Sequence, residues 1–421
     1  MPTAQQLIKR GCVRRLRRMS IKRINPDMSY ETSWLDISQY VMSWGRINRK
    51  IGDNVFLGQY QQLPVQVVLD NSRRLFNDSN TFESLFLHFK TRFGTRFKIE
   101  HGFLDEDGAE VAGLVWYGIM VSKPVINNRG QISFIVHPVE KIFEKYTGFG
   151  ISTAAGTTAA LIDRLVKREL SSKRIFDKYF EGANDAAKYL INSAGDAVTT
   201  ISAPSIAEKD YTVDKIRDYS IYDNFHYYTD NTGNFVWKSK SPGAASVWTF
   251  NGAGSFDNDF GINICEVYSE IEDIDNTFPR VAIEYSAGNY EVSATVWSPG
   301  DGSYQDIYGE KTYRESYYEL IQAEAAAVAL KLREAEQEIK RIWHFSSFYI
   351  PQLELCNWVT MNYVGKLTVS NPFILGVSLL GGTDDLTGYT NSLKVSGVEC
   401  KIIEFTLDGN TSRTEFKIKE I

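Results

Sequence analysis

Alternation of apolar and polar positions dominates this chain, and it gives way to helical spacing in only a few places. In the first segment "VQVVLDN" predicts a strand ending in Asp70 and Asn71, a turn-forming pair. "FKIEHGF" and "VAGLVWYGIMVSKPV" flank "DEDGAE", whose Asp107–Gly108 step suits a tight hairpin. In "QISFIVHPVEKIFEKY" the residues Ile132, Phe134 and Val136 share a face. Between these strands, "DSNTFESLFLHFKTRF" predicts a short helix capped by Asn80 or Thr81, with Phe82, Leu85, Phe86 and Phe89 inward.

A small-residue linker, "GFGISTAAGTTAA", precedes two predicted helices, around Leu161–Leu170 and Ile175–Ser193. The second carries Phe176, Phe180, Ala183, Ala187 and Leu190 on one stripe. "FHYYTDNTGNFVWKS" then predicts an aromatic hairpin turning at Asp230-Asn231-Thr232-Gly233. "ICEVYSEI", "RVAIEYSAG" and "YEVSATVWS" continue as strands. From Glu315 to Arg341 there is no Pro or Gly, and Tyr317, Ile321, Ala325, Val328, Leu332, Ala335, Ile339 and Ile342 recur at the spacing of one buried helical stripe. Strands close the chain, interrupted by a Gly-rich loop at Val369–Gly388.

The layout predicts a β-rich α+β protein: an N-terminal β domain over residues 1–148, inserted helices with middle strands and a long helix over 149–341, and a C-terminal β domain over 342–421. Aromatic content of 13% agrees, since flat rings pack well on pleated surfaces. No apolar run approaches the roughly 18 residues of a bilayer span, and no apolar stretch follows the basic N-terminus as a secretory signal requires.

Charge is uneven. The first 23 residues hold eight cations and no acid, so with the whole chain at −6 the rest carries −14. Between Ser241 and Pro279 there is no Lys or Arg, while seven acids accumulate. An acidic body repels nucleic acid. The basic leader, with Arg14, Arg15, Arg17 and Arg18, reads as a solvated end or a partner-facing strand, with a clamp on phosphate, DNA or an acidic partner as the alternative.

Candidate chemistry is sparse. The sequence has no phosphate loop, no dinucleotide fingerprint, no HExxH and no GxSxG elbow. Cys12, Cys265, Cys356 and Cys400 are scattered without CxxC or nearby His, and read as small hydrophobes in a reducing compartment. Five dispersed His read as packed or surface residues. No catalytic, cofactor or metal residue is assigned, and no cofactor is expected. Two weaker readings concern sugar: Trp237, Trp248 or Trp343 stacking on a glycan, and acids near Asp230, Asp257 and Asp259 hydrolysing one. The turn position of Asp230 favours a backbone cap instead. The long-helix stripe, with Ile321, Val328, Leu332 and Ile339, suits either packing within the chain or a subunit contact.

The order of these pieces resembles the hub proteins of bacteriophage tail tips and baseplates. The motifs carrying the resemblance are "VVLDNSRRLFNDSN", "YYTDNTGNFVW", "NTFPRVAIEYS", "IYGEKTYRESYYELIQAEAAAVALKLREAEQ", "PQLELCNWVTM" and the final "CKIIEFTLDGNTSRTEFKIKEI". Asn357 and the Gly-rich Val369–Gly388 segment depart from the family pattern. The resemblance implies two tail-tube-like β domains per subunit and a homotrimeric ring in the virion tail tip; with no catalytic signature in the sequence, no enzymatic activity is expected. It further implies contacts with the tail tube, distal tail proteins, a tip or fibre protein and the tape-measure protein, with DNA passing through during ejection.

Overall fold

The computed structural model describes residues 14–25, 29–51, 60–76, 94–104, 108, 110–121, 124–127, 130–144, 153–170, 173–174, 176–182, 184–230, 232–239, 246–252, 264–272, 278, 280–293, 311–336, 340–350, 353–366, 392–407 and 413–421. The predicted helix over "DSNTFESLFLHFKTRF", Cys12, Asp257, Asp259, Ile339 and the Val369–Gly388 loop lie outside them.

The N-terminal part is a run of strands: β1 (Arg14–Lys22), β2 (Leu35–Asp36), β3 (Val41–Trp44), β4 (Ile47–Ile51), β5 (Tyr60–Gln62), β6 (Val65–Asp70), β7 (Arg96–Leu104), β8 (Glu110–Met120), β9 (Val125–Ile126) and β10 (Gln131–Pro138). Eight of them form one antiparallel sheet in the order β2-β1-β7-β8-β10-β6-β3, with β9 on β10. Alternation sets which face is buried. Val65, Val67 and Leu69 of β6 point inward, as do Ile132, Phe134 and Val136 of β10. The hairpin expected around Gly108 is present, with β7 and β8 paired from Arg96↔Ile119 to Leu104↔Glu110.

The middle part holds the helices. A two-residue β11 (Gly156–Thr157) leads into α1 (Thr158–Lys167), whose N-cap Thr157 side chain accepts from the Ala160 N–H at 3.2 Å. Two short strands follow, β12 (Glu169–Leu170) and β13 (Lys173–Arg174). The helix expected over Ile175–Ser193 is broken. A 3₁₀ turn at Asp177–Tyr179, the single turn α2 (Asp185–Lys188) and β14 (Tyr189–Ile191) occupy that stretch. Gly182, at φ +111°, interrupts it, and Tyr189–Ile191 is drawn into parallel pairing with Phe235–Trp237. After β15 (Thr200–Ile201) comes α3 (Thr212–Tyr222), a helix whose Ile, Val and Tyr content masked it in the sequence. The aromatic hairpin, β16 (Phe225–Thr229) and β17 (Phe235–Ser239), is as expected.

The remaining elements are β18 (Trp248–Asn251), β19 (Ile264–Glu272), β20 (Arg280–Tyr285), β21 (Gly288–Ser293), β22 (Thr312–Ser316), α4 (Gln322–Glu336), β23 (Arg341–Phe348), β24 (Trp358–Lys366), β25 (Ser392–Leu407) and β26 (Arg413–Glu420). Helix α4 is shorter than the Pro- and Gly-free stretch. Glu315 instead lies in β22, paired in parallel with Ile283 of β20. Pairing there overrides helical periodicity.

Strand membership does not follow sequence blocks. The second eight-stranded sheet runs β18-β24-β25-β26-β23-β19, and β4 joins it through β25 with β5 on β4. It therefore takes strands from early, middle and late parts of the chain. One core cluster unites the two sheets, with Met19, Val67, Phe97 and Phe134 packed in the same body as Phe250, Trp343, Phe345 and Phe416. A second core holds α1, α3 and α4 against β16, β17 and β20.

Candidate assembly interface

Strand β1 concentrates positive charge because four of its first five residues are Arg. Its backbone pairs along its whole length with β7, from Arg14↔Leu104 to Lys22↔Arg96. Arg18 is held inside the subunit: its Nη2 donates to Glu110 at 2.7 Å, with Glu100 at 3.8 Å and Asp36 at 3.7 Å. This fan keeps the guanidinium pKa raised, mainly through the hydrogen bond to Glu110. Arg17 is half-buried opposite His101. On the outer side, β2 pairs with Ser20 and Ile21, and the residues after it hold Met19: its carbonyl accepts the Ile37 N–H and its N–H donates to the Ser38 hydroxyl, each at 2.9 Å.

Strand β19 is an edge strand of the other large sheet. It ends the second sheet, pairing antiparallel with β23. Glu266, Tyr268 and Ile271 are exposed on it. Glu270 lies 4.0 Å from Arg341, whose main ion pair is with Glu420 at 2.8 Å. The Arg341 hydrogen bond keeps the Glu420 carboxyl below the ordinary carboxylate range. Nothing in the pattern of "ICEVYSEI" distinguished this edge from an interior strand; only sheet order does.

The long-helix stripe resolves differently from a subunit contact. Val328 and Leu332 are fully buried in the second core of the same chain, so their expected interface role is corrected. Ile321, just ahead of α4, is exposed. The three candidate sugar-stacking rings are also inside: Trp237, Trp248 and Trp343 are at most 2% exposed. No face of these rings is open to a glycan. Asp230 caps its own turn, its Oδ1 accepting from the N–H groups of Thr232 (2.8 Å) and Asn234 (2.9 Å), while Gly233 takes φ +84°.

Buried charge elsewhere is structural. Glu181 receives Arg96 Nη1 at 2.7 Å, the Tyr117 hydroxyl at 2.9 Å and Lys22 Nζ at 3.4 Å, tying the first sheet to the middle region. Burial pushes its carboxyl up, and these cationic and hydroxyl donors outweigh that and hold it below the usual range. Glu140 accepts the Thr229 N–H at 2.5 Å, while Arg49, 2% exposed, donates to the Thr229 carbonyl at 2.9 Å. Burial raises the Glu140 pKa. His101 packs edge-on to Tyr349 at 4.5 Å, and His226 stacks on Tyr228 at 5.5 Å. Among the described residues no group of three or more His, Cys, Asp or Glu is placed to hold a metal ion, and no helix is long and apolar enough to cross a membrane.

No protein-family model matches the chain, and no curated protein sequence matches it. Solved structures do. The tail protein from Neisseria meningitidis MC58 superposes with a TM-score of 0.53, at 11% identity, covering 96% of each chain. The 43 kDa tail protein of prophage MuSo2 from Shewanella oneidensis gives 0.50 at 12% identity, over 96% of this chain and 98% of that one. The prophage tail protein gp18 from Listeria monocytogenes EGD-e gives 0.48 at 7% identity, over 96% and 94%. At such identities the likeness is one of fold. The chain has the β-rich fold of phage tail proteins, the class its motif order resembles.

Proposed function

We propose that this protein is a structural hub of a phage-type tail. Copies close into a ring, most simply a homotrimer, in which each subunit contributes its two large β sheets as tail-tube-like domains. The ring joins the tail tube to a distal tip or fibre protein, meets distal tail and tape-measure proteins, and surrounds the DNA path at the tail tip of the virion. The observation that carries this reading is the match of fold over 96% of both chains to a tail protein, reached without detectable sequence similarity. Charge supports it: a −6 chain, carrying −14 beyond its first 23 residues, suits a conduit along which DNA slides without adhering. The function is mechanical, with no substrate turned over. Light scattering of the purified chain tests it, with a trimeric mass expected. A monomeric mass both in solution and in imaged particles would overturn it.

A further inference from the structure

We propose that the loop after β1 holds a binding site for a neutral sugar, with Trp34 as its stacking platform. The site is independent of how copies assemble.

The loop from Arg23 to Trp34 turns back on itself before β2. Ile24 bridges Tyr30, the Asn25 N–H donates to the Ser29 carbonyl at 2.8 Å, and the Glu31 N–H donates to the Arg23 carbonyl at 3.0 Å. Two anchors fix the loop to the body. Ile24 is buried, and Tyr30 donates its hydroxyl to the Gly94 carbonyl at 2.6 Å while its ring lies 4.1 Å from the Arg96 guanidinium. Beside the loop is an open cavity of about 500 Å³, within the ~300–1,000 Å³ of small-ligand sites.

The lining selects the ligand. Among the described residues it includes Arg23, Asn25, Glu31, Thr32, Ser33 and Trp34. Arg23 and Glu31 answer each other through two bonds, Nε to Oε2 at 2.8 Å and Nη2 to Oε1 at 2.5 Å. The neighbouring cations also have carboxylates: Lys22 lies 3.4 Å from Glu181, and Lys98 lies 3.4 Å from Glu100. A phosphate, a nucleic acid or an acidic peptide would therefore meet cations already paired, with Glu31 beside them. A wholly apolar guest would strip water from the Asn25 amide and the Thr32 and Ser33 hydroxyls without replacing their bonds.

Trp34 supplies the flat surface. Strand register puts Lys22, Lys98 and Tyr117 on one face of the first sheet. All three reach the indole, the two ammonium groups at 5.7 and 5.2 Å from the ring centroid and Tyr117 edge-on at 5.7 Å. The sheet thus holds the ring in place, while the half-buried indole keeps part of its surface on the cavity. A pyranose matches both features. Its C–H face stacks on an aromatic ring, and its hydroxyl rim can give to a carboxylate and accept from a guanidinium or amide.

The test applies the full chain to an array of neutral oligosaccharides built from hexose, N-acetylhexosamine and deoxyhexose, with sialylated and sulfated glycans alongside. Fold is checked by circular dichroism. Binding to neutral glycans is expected. Trp34→Ala and the cavity-narrowing Thr32→Leu are each expected to weaken it on the order of tenfold or more, while Trp34→Phe, which keeps a flat ring, retains most of it. Thr32 is exposed, so its replacement leaves the loop's packing intact. The site is overturned by an array on which no neutral glycan binds or the charged glycans bind better. It is equally overturned by a folded Trp34→Ala or Thr32→Leu chain that binds like the unaltered one.

Discussion

Lys331 of α4 places its Nζ 2.5 Å from Oδ1 of Asp223, whose side chain is fully buried at the end of α3. The same carboxylate accepts the Thr158 hydroxyl and, at 2.8 and 2.7 Å, the N–H and hydroxyl of Thr199. One side chain thus fastens the start of α1, the approach to β15, the end of α3 and the flank of α4. Removing it orphans several buried donors at once. Asp223→Ala is expected to cost about 3–5 kcal/mol in chemical denaturation. Lys331→Met leaves the neutral donors on the carboxylate and is expected to cost less, about 1–3 kcal/mol. Equal losses from the two would contradict this division.

Asp218, on α3, has its pKa pushed up to about 6, first by burial, with Glu319 and Asp214 adding to it and Lys215 and Arg217 opposing. The unfolded chain ionises this group near the ordinary aspartate value of about 3.9. Between those two pH values the folded state binds more protons than the unfolded one. Its contribution to stability is therefore complete below about pH 4 and declines as pH rises to about 6. Asp218→Asn is expected to flatten that part of the stability profile, measured by thermal unfolding at a series of pH values. Glu181 and Glu420 act oppositely, their depressed values giving stability that is lost as pH falls through the acid range.

Gly118 sits in β8 opposite Phe97 and Pro138. A Cβ there would stand 2.1 Å from the Trp116 ring and 2.5 Å from the His137 carbonyl oxygen. Both neighbours are fixed, one as a buried indole and one as main chain. Gly118→Ala is expected to lower stability by about 1–3 kcal/mol or more through overpacking, read as a fall in melting temperature. An unchanged melting temperature would mean that the ring can move aside.

Leu332 and Ile321 share one periodic stripe and have opposite fates. Leu332 is fully buried in the subunit's second core, and Ile321 is 48% exposed. Leu332→Ala is expected to destabilise the isolated subunit by about 2–5 kcal/mol. Ile321→Ala is expected to stay within about 0.5 kcal/mol. Denaturant titration at low protein concentration separates the two, and a large loss for Ile321 alone would return the stripe to an interface role.

Local pattern was informative where an element's own residues decide its form. The alternation in "VQVVLDN" and "QISFIVHP" set their buried faces, and the Asp230-to-Gly233 turn closed the aromatic hairpin through contacts within five residues. It misled where pairing partners are remote. The Ile175–Ser193 stripe has helical spacing, yet Tyr189–Ile191 is captured by β17, about 45 positions away. Glu315 is likewise taken from the long helix by Ile283.

By itself the sequence determined the β-rich class, the main hairpins and the ordered motifs that resemble tail hub proteins, because these depend on spacing over a few residues. Only the tertiary structure decided that β4 leaves its neighbours for the C-terminal sheet, that the three tryptophans face inward, and that β19 stands at a sheet end. The reason is physical: which strand lies beside which is fixed by long-range pairing and by burying two faces in one core, and neither leaves a mark on the residues immediately next to them.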